Sequence, residues 1–315
     1  MKVTDYLNKA KKPLFSYEIM PPLRGGSADK IFKMVEELMP FDPPFIDLTS
    51  RSAEVEYLDT PDGKFERQVR RKRPGTIGLS AAIKNRFNVE TVPHILCKGF
   101  TREETEDALI ELNYLEIHNV LAVRGDDLRR NMAMNGKTAN EYASDLVSQI
   151  RSMNNGNYLD ELLDASATDF CIGVGGYPEK HFEANDLDTD LEFLKRKVDN
   201  GADYIVTQMF YDNKAYFEFV DKARDIGIDI PIIPGLKILT QRKHLKLIPD
   251  IFYVDIPPEL AERIENAKTD DEVRSVGVDW AIEQTKELYE ANVPCIHYYI
   301  MQSAKQVVNV VKEFI

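Results

Sequence analysis

Apolar and polar positions alternate along the chain in one repeating unit. A short apolar run meets a polar break, and a stretch with apolar residues at helical spacing follows. Leu14 to Ile19 is the first run, ending in Met20-Pro21-Pro22. Ile31, Met34, Val35 and Leu38 then recur at a helical period behind Ser27, a residue suited to an N-cap. Phe45 to Thr49 and Thr91 to Cys97 are the second and third runs. Between them the highly charged segment from Ser50 to Lys72 reads as a loop and an exposed helix. Thr101 and Glu104 have capping-box spacing ahead of the helical face Ala108, Leu109, Leu112 and Leu115. Val120 to Val123 is the fourth run, cut off in one step by Arg124-Gly125-Asp126.

The second half repeats the unit. A helix over Asn140 to Met153 precedes a fifth run, Asp169 to Val174, which ends in Gly175-Gly176-Tyr177-Pro178. Leu187, Leu191, Leu194 and Val198 mark a helix closed by Gly201. Tyr204 to Gln208 is the sixth run, and Tyr216, Phe219, Val220 and Ala223 mark the helix after it, closed by Gly227. Pro231 to Leu236 is the seventh run, followed by a short helix over Thr240 to Ile248. Thr269 and Glu272 read as a second capping box, opening a long helix to about Ala291. Pro294 to Ile300 is the eighth run, and Ala304 to Phe314 a closing helix. Regular β–α alternation calls for a parallel sheet. Eight units without a second domain, and no G-x-G-x-x-G after the first strand, favour a closed (β/α)8 TIM barrel with extra helices over an open Rossmann sheet. The expectation is one domain over residues 1–315.

Composition narrows the function. Apolar residues make up 43% of the 315, enough for a large core. A net charge of −13 argues against nucleic acid and anionic membranes as partners, while leaving room for a local basic pocket. Cys97, Cys171 and Cys295 lie far apart, each in or beside an apolar run, and read as core residues of a reducing compartment. No apolar run approaches the ~18 residues of a membrane span, and the amino terminus lacks the apolar core of a signal peptide. These features place the protein in the cytoplasm.

A barrel carries its chemistry at the carboxyl ends of its strands. Those positions hold Glu18, Thr49, Asp126, Tyr177, Gln208, Lys237 and Gln302, and His94 lies within its strand. No metal-ligand spacing, serine elbow or Walker loop is present, so no metal site is expected. Singly, each rim residue has a structural reading: Glu18 paired to a barrel arginine, His94 a satisfied core histidine, Gln208 a partner for backbone groups. Their joint placement at one rim points to a site. Two carboxylates with amides and aromatics suit a bound organic cofactor.

The stretches FSYEIMPP, TVPHILC, NVLAVRGDD, GGYPEKH, DLEFLKRKVDNGADYIVTQMFYD and IIPGL, in this order, resemble the methylenetetrahydrofolate reductases from about Phe15 to Tyr299. The resemblance implies a flavoprotein barrel that uses FAD and NADH or NADPH to reduce methylenetetrahydrofolate to methyltetrahydrofolate. The methyl product would feed methionine synthesis. It marks Glu18 as the general acid and Asp126 as the carboxylate near the flavin and folate rings. Gln208 falls on a substrate amide, and Thr49 on a threonine near the flavin and nicotinamide. His94, Arg124, Gly125, Tyr142, Ala143, Tyr177, His181, Asp190, Arg196 and Lys197 fall on FAD-contacting positions. Arg196 and Lys197, at a helix start or rim, would pair with the pyrophosphate. The resemblance also implies a homo-oligomer, and a chain ending with the barrel implies no regulatory domain and no control by S-adenosylmethionine. Thr49-Ser50-Arg51-Ser52, Gly176-Tyr177-Pro178, Gln302-Ser303 and His244 depart from the family pattern and bear on the folate-tail contacts and the nicotinamide geometry.

The implied chemistry requires Glu18 to be protonated near neutral pH, through burial, so that it can open the folate's five-membered ring. Asp126 would stabilise the cationic iminium. Two other readings compete: a lysine-dependent barrel lyase built on Lys237, and a non-catalytic flavin- or folate-binding barrel.

Overall fold

A computed structural model describes residues 1–51, 54–60, 62–70, 75–125, 138–300 and 303–315. Ten strands are present among the described residues: β1 (Leu14–Ile19), β2 (Phe45–Leu48), β3 (Glu54–Asp59), β4 (Phe65–Arg70), β5 (Glu90–Leu96), β6 (Asn119–Val123), β7 (Cys171–Gly176), β8 (Tyr204–Met209), β9 (Ile232–Leu236) and β10 (Cys295–Tyr299). Eight of them close a parallel barrel in the order β1-β10-β9-β8-β7-β6-β5-β2. Each sequence-predicted strand lies within two residues of its observed bounds. The largest offset is β7, which starts at Cys171 and runs through Gly176.

Alternation along each strand separates two cores. On β1, Phe15, Tyr17 and Ile19 face outward into the layer shared with the helices, while Ser16 and Glu18 face the barrel interior. The interior floor is apolar: Phe45, Val92, Leu121, Tyr204, Ile233 and Cys295 meet Val3 and Leu7 there. Val3 and Leu7 belong to a helix, Val3–Lys9, that the periodicity reading misses. It is tied under the barrel by Asn119, whose Oδ1 accepts from the Val3 N–H at 2.8 Å and whose Nδ2 donates to the Met1 carbonyl at 2.9 Å. All three cysteines are free and buried.

The segment read as a loop and an exposed helix contains instead the antiparallel hairpin β3–β4. Where its strands join, Gly63 lies at φ 76° and the Thr60 N–H donates to the Lys64 carbonyl. Charge density suggested a solvated helix, but Val55 and Tyr57 alternate with acids, and Asp62-Gly63 is a hairpin turn signal. Smaller corrections concern helix ends. Ser27 lies one residue ahead of the N-cap, Ala28. The helix after β9 is His244–Phe252, and a further helix, Pro258–Asn266, follows it. Thr269 caps its helix, but the Glu272 carboxylate accepts from the Lys268 N–H rather than completing a capping box. The Thr101–Glu104 box is complete. No helix among the described residues is long and apolar enough to cross a membrane.

Candidate active site at the carboxyl end of the barrel

The interior turns polar one layer above the floor. Ser16 and His297 are neighbours across β1 and β10, with Ser16 Oγ 2.8 Å from His297 Nδ1. Above them stands Glu18, paired in register with Asp47 on one side and Tyr299 on the other. His94 reaches in from β5. Its Nε2 lies 3.5 Å from Glu18 Oε2 and 3.6 Å from Asp47 Oδ2, and His297 Nε2 is 4.0 Å from the same Glu18 oxygen. Asp47 and His297 were not singled out from the sequence. Each is a polar residue inside an apolar run that should be buried on both faces, and that contrast is the signal that marks them.

Burial sets the protonation of this group. It pushes the Glu18 carboxyl up to about 7, with His94 and Lys237 pulling it down. Asp47 is fully buried and its carboxyl is held well above the ordinary range by desolvation. Burial lowers His94, against the opposing charge of Glu18, and drives His297 down to about 3. Both Asp47 oxygens and the Nε2 atoms of His94 and His297 lack hydrogen-bond partners among the described residues. Buried polar atoms are rarely left this way, and they concentrate where a site stores reactivity.

Tyr299 is positioned by a gap in β9. A Cβ at Gly235 would meet the Tyr299 ring at 2.7 Å and the Thr207 carbonyl closer still. The bare glycine lets the phenol cross β9 and donate to the Thr207 carbonyl at 2.5 Å. Thr207 also accepts the Gly235 N–H on its Oγ1 at 2.9 Å, where the β8–β9 register shifts. Gln208 follows on β8, its Oε1 accepting from the Met209 N–H. Thr49 lies just past β2, with a buried Oγ1 that has no partner among the described residues.

A second group lies beside the first, over the ends of β6 and β7. A cavity of about 300 Å³ is lined there by Arg124, Tyr142, Ala143, Tyr177, His181, Asp190, Arg196 and Lys197. These eight residues come from four separate stretches of sequence. Gly125, at φ 86°, makes the turn that carries the chain away from β6. Arg124 sits 5.2 Å over the Tyr142 ring and pairs with Glu183. Tyr177 and His181 meet edge to face with centroids 4.7 Å apart. Arg196 and Lys197 occupy the last turn of the helix Leu187–Asp199, not its start, where cations suit the helix dipole. Lys197 Nζ donates to the Gly175 carbonyl at 2.6 Å, and burial lowers its ammonium to about 8 against the pull of Asp190. Asp126 and Gln302 lie outside the described residues.

Three cations, two tyrosines and open space beside Gly175 fit an anionic aromatic ligand such as a dinucleotide. The buried Arg124 Nε, without a partner among the described residues, adds a donor.

A family model described as methylenetetrahydrofolate reductase matches residues 2–314. Methylenetetrahydrofolate reductase 1 of Schizosaccharomyces pombe is 32% identical over 312 residues, covering 98% of this chain and 47% of that protein. Methylenetetrahydrofolate reductase (NADH) 1 of Arabidopsis thaliana is 31% identical over 98% of this chain and 50% of its own length. The 5,10-methylenetetrahydrofolate reductase of Escherichia coli is 29% identical over 92% of this chain and 86% of its length. The chain thus spans about half the length of the eukaryotic relatives. Among solved structures, a Clostridium thermocellum protein described as binding 5-methyl-5,6,7,8-tetrahydrofolic acid shares the fold, with a TM-score of 0.59 and 14% identity over 99% of this chain and 98% of that one.

Proposed function

The chain belongs to the methylenetetrahydrofolate reductase family, and from that membership we propose that it is an FAD-dependent reductase converting 5,10-methylenetetrahydrofolate to 5-methyltetrahydrofolate with NADH or NADPH. The observation that carries the reading is the placement of two features at the same, carboxyl end of the barrel. One is a largely buried acid, Glu18, whose carboxyl desolvation pushes up to about 7. The other is a cavity lined by eight of the residues that the family likeness marks for FAD.

In this reading Arg124, Arg196 and Lys197 hold the cofactor's diphosphate, and Tyr142, Tyr177 and His181 flank its rings. Bound FAD supplies a hydride carrier between the nicotinamide and the one-carbon unit. Glu18 supplies the proton. The methylene bridge accepts hydride poorly while its ring is closed. Protonation of one bridge nitrogen by the Glu18 carboxyl breaks that carbon–nitrogen bond and leaves an iminium, a far better acceptor. A carboxyl near 7 suits this task, because a general acid works best with a pKa close to the operating pH. Gln208 offers an amide to the folate rings, and Asp126 a negative charge to the iminium.

The test separates two half-reactions. The purified protein, supplied with FAD, should show flavin absorbance that NADH or NADPH bleaches and methylenetetrahydrofolate restores. Glu18→Gln keeps the size and hydrogen-bonding capacity but loses the acidic proton. Its bleaching should stay within roughly tenfold of the parent, and its restoration should slow by at least ~10²-fold. Restoration at the parental rate removes Glu18 from the chemistry. A protein that binds no flavin and instead forms a borohydride-trapped adduct at Lys237 is a lysine-dependent lyase.

A further inference from the structure

The strand register places four side chains at one level of the barrel. Glu18 pairs with Asp47 on β2 and with Tyr299 on β10. Tyr298 pairs with Leu236 on β9, which brings Lys237, the next residue, to the level of Tyr299. All four alternate into the interior, so the row across β2, β1, β10 and β9 reads acid, acid, phenol, ammonium. His94 faces the two acids from β5, and His297 faces Glu18 from the layer below. These are the titratable groups that face Glu18 among the described residues.

The four do not share the same surroundings. Asp47 is fully buried, and its two oxygens have no donor among the described residues. An ionised carboxyl in that position is costly, and keeping the proton removes the cost. Tyr299 has committed its one proton to the Thr207 carbonyl. Lys237 is half-buried and within no ion pair among the described residues, yet it and Glu18 each favour the other's charged form.

We propose that Lys237 and Asp47 are positioning residues for the Glu18 proton. Lys237 supplies the positive charge facing the carboxylate that Glu18 becomes, and Asp47 stands behind it as an uncharged acid. The proposal rests on the reading of Glu18 as the proton donor. In the step itself, the proton leaves a Glu18 oxygen for the bridge nitrogen, whose bond to the methylene carbon breaks. Glu18 gains one negative charge, Lys237 keeps its ammonium, and Asp47 keeps its proton. The new charge thus forms between a cation and a neutral acid. Were Asp47 ionised, the same step would create a second buried negative charge beside the first, a far less favourable product.

The experiment needs neither cofactor nor folate. Protein labelled with carbon-13 at the glutamate carboxyls is titrated by NMR, and the Glu18 signal is identified by its loss in Glu18→Gln. That control also separates it from Glu179, which burial likewise raises to about 7. Lys237→Met should raise the Glu18 midpoint by about one pH unit or more, the effect of removing a nearby opposite charge. Lys237→Gln should do the same, which guards against a packing artefact, and Lys237→Arg should return the midpoint toward the parent. Asp47→Asn, an uncharged isostere, should leave it within a few tenths of a unit. An unmoved midpoint in both Lys237→Met and Lys237→Gln overturns the proposal. So does a fall of about one unit or more in Asp47→Asn, because it shows that Asp47 carries a charge. Failure of the reductase reading would show elsewhere, as a flavin that folate cannot reoxidise while these midpoints move as expected.

Discussion

Glu18→Gln should make the protein more stable as it makes the enzyme worse, and the gain should depend on pH. In the unfolded chain the carboxyl ionises near its ordinary 4.5, and in the barrel it ionises near 7. Between those values the folded state holds the proton and the unfolded state has released it. Stability therefore falls as pH rises through the window, and the loss is complete above about 7. The rise in pKa corresponds to about 3 kcal/mol once both states are ionised. Near pH 5 only a small part of that loss has accrued, about 1 kcal/mol. Glutamine does not ionise, so the variant escapes the loss. Urea unfolding followed at both ends of the window should give a variant ahead of the parent by about 1 kcal/mol near pH 5 and about 3 kcal/mol at about pH 8.5. An advantage that is equal at the two pH values would mean that Glu18 is not the group being titrated. A variant less stable than the parent at high pH would mean that the Glu18 carboxylate is stabilised in the fold, and the case for a raised acid would fall with it.

Two further predictions test the supporting parts. Lys197→Met should weaken FAD binding and flatten its salt dependence, and the parent's FAD affinity should begin to fall as pH passes about 8, where the buried ammonium of the free protein loses its charge; equal retention in both, read by fluorescence of the free flavin, removes Lys197 from the cofactor site. Gly235→Ala should cost about 1–3 kcal/mol through overpacking against Tyr299 and Thr207, and an unchanged melting temperature would show that the phenol is not held across β9.

Periodicity alone yields the barrel because eight buried strands alternate with amphipathic helices, and both periods are written locally. Glu18, His94 and the Arg124–Gly125 turn are legible by the same means, since each sits at or near a strand's carboxyl end. Asp47 and His297 escape a rule built on strand ends, because each lies within its strand. A charged residue in mid-strand carries equal information in a parallel barrel, where both faces are buried and the run should be wholly apolar. The hairpin β3–β4 escapes for the opposite reason: a high density of charge hides a period of two. What no local pattern contains is the register. Residues 18, 47, 237 and 299 become neighbours only when the strands pair as they do.

The physical cause of the raised acid lies at the far end of the barrel. A carboxyl rises to about 7 only if water is scarce around it, and the open mouth does not keep water away. The exclusion comes from below. The helix Val3–Lys9 presses Val3 and Leu7 against Phe45, Val92, Leu121 and Tyr204, and this apolar floor fills the interior beneath the polar layer. Gly173 assists, because a Cβ there would collide with the Tyr204 ring, so the bare glycine lets the ring fill the barrel axis. The polar groups above are then solvated from one side only, the side on which a ligand arrives. A ligand that covers the mouth removes that solvent as well, so its binding should hold the Glu18 proton more tightly until the bridge nitrogen takes it. The floor, the raised carboxyl and the timing of proton release thus follow one from another.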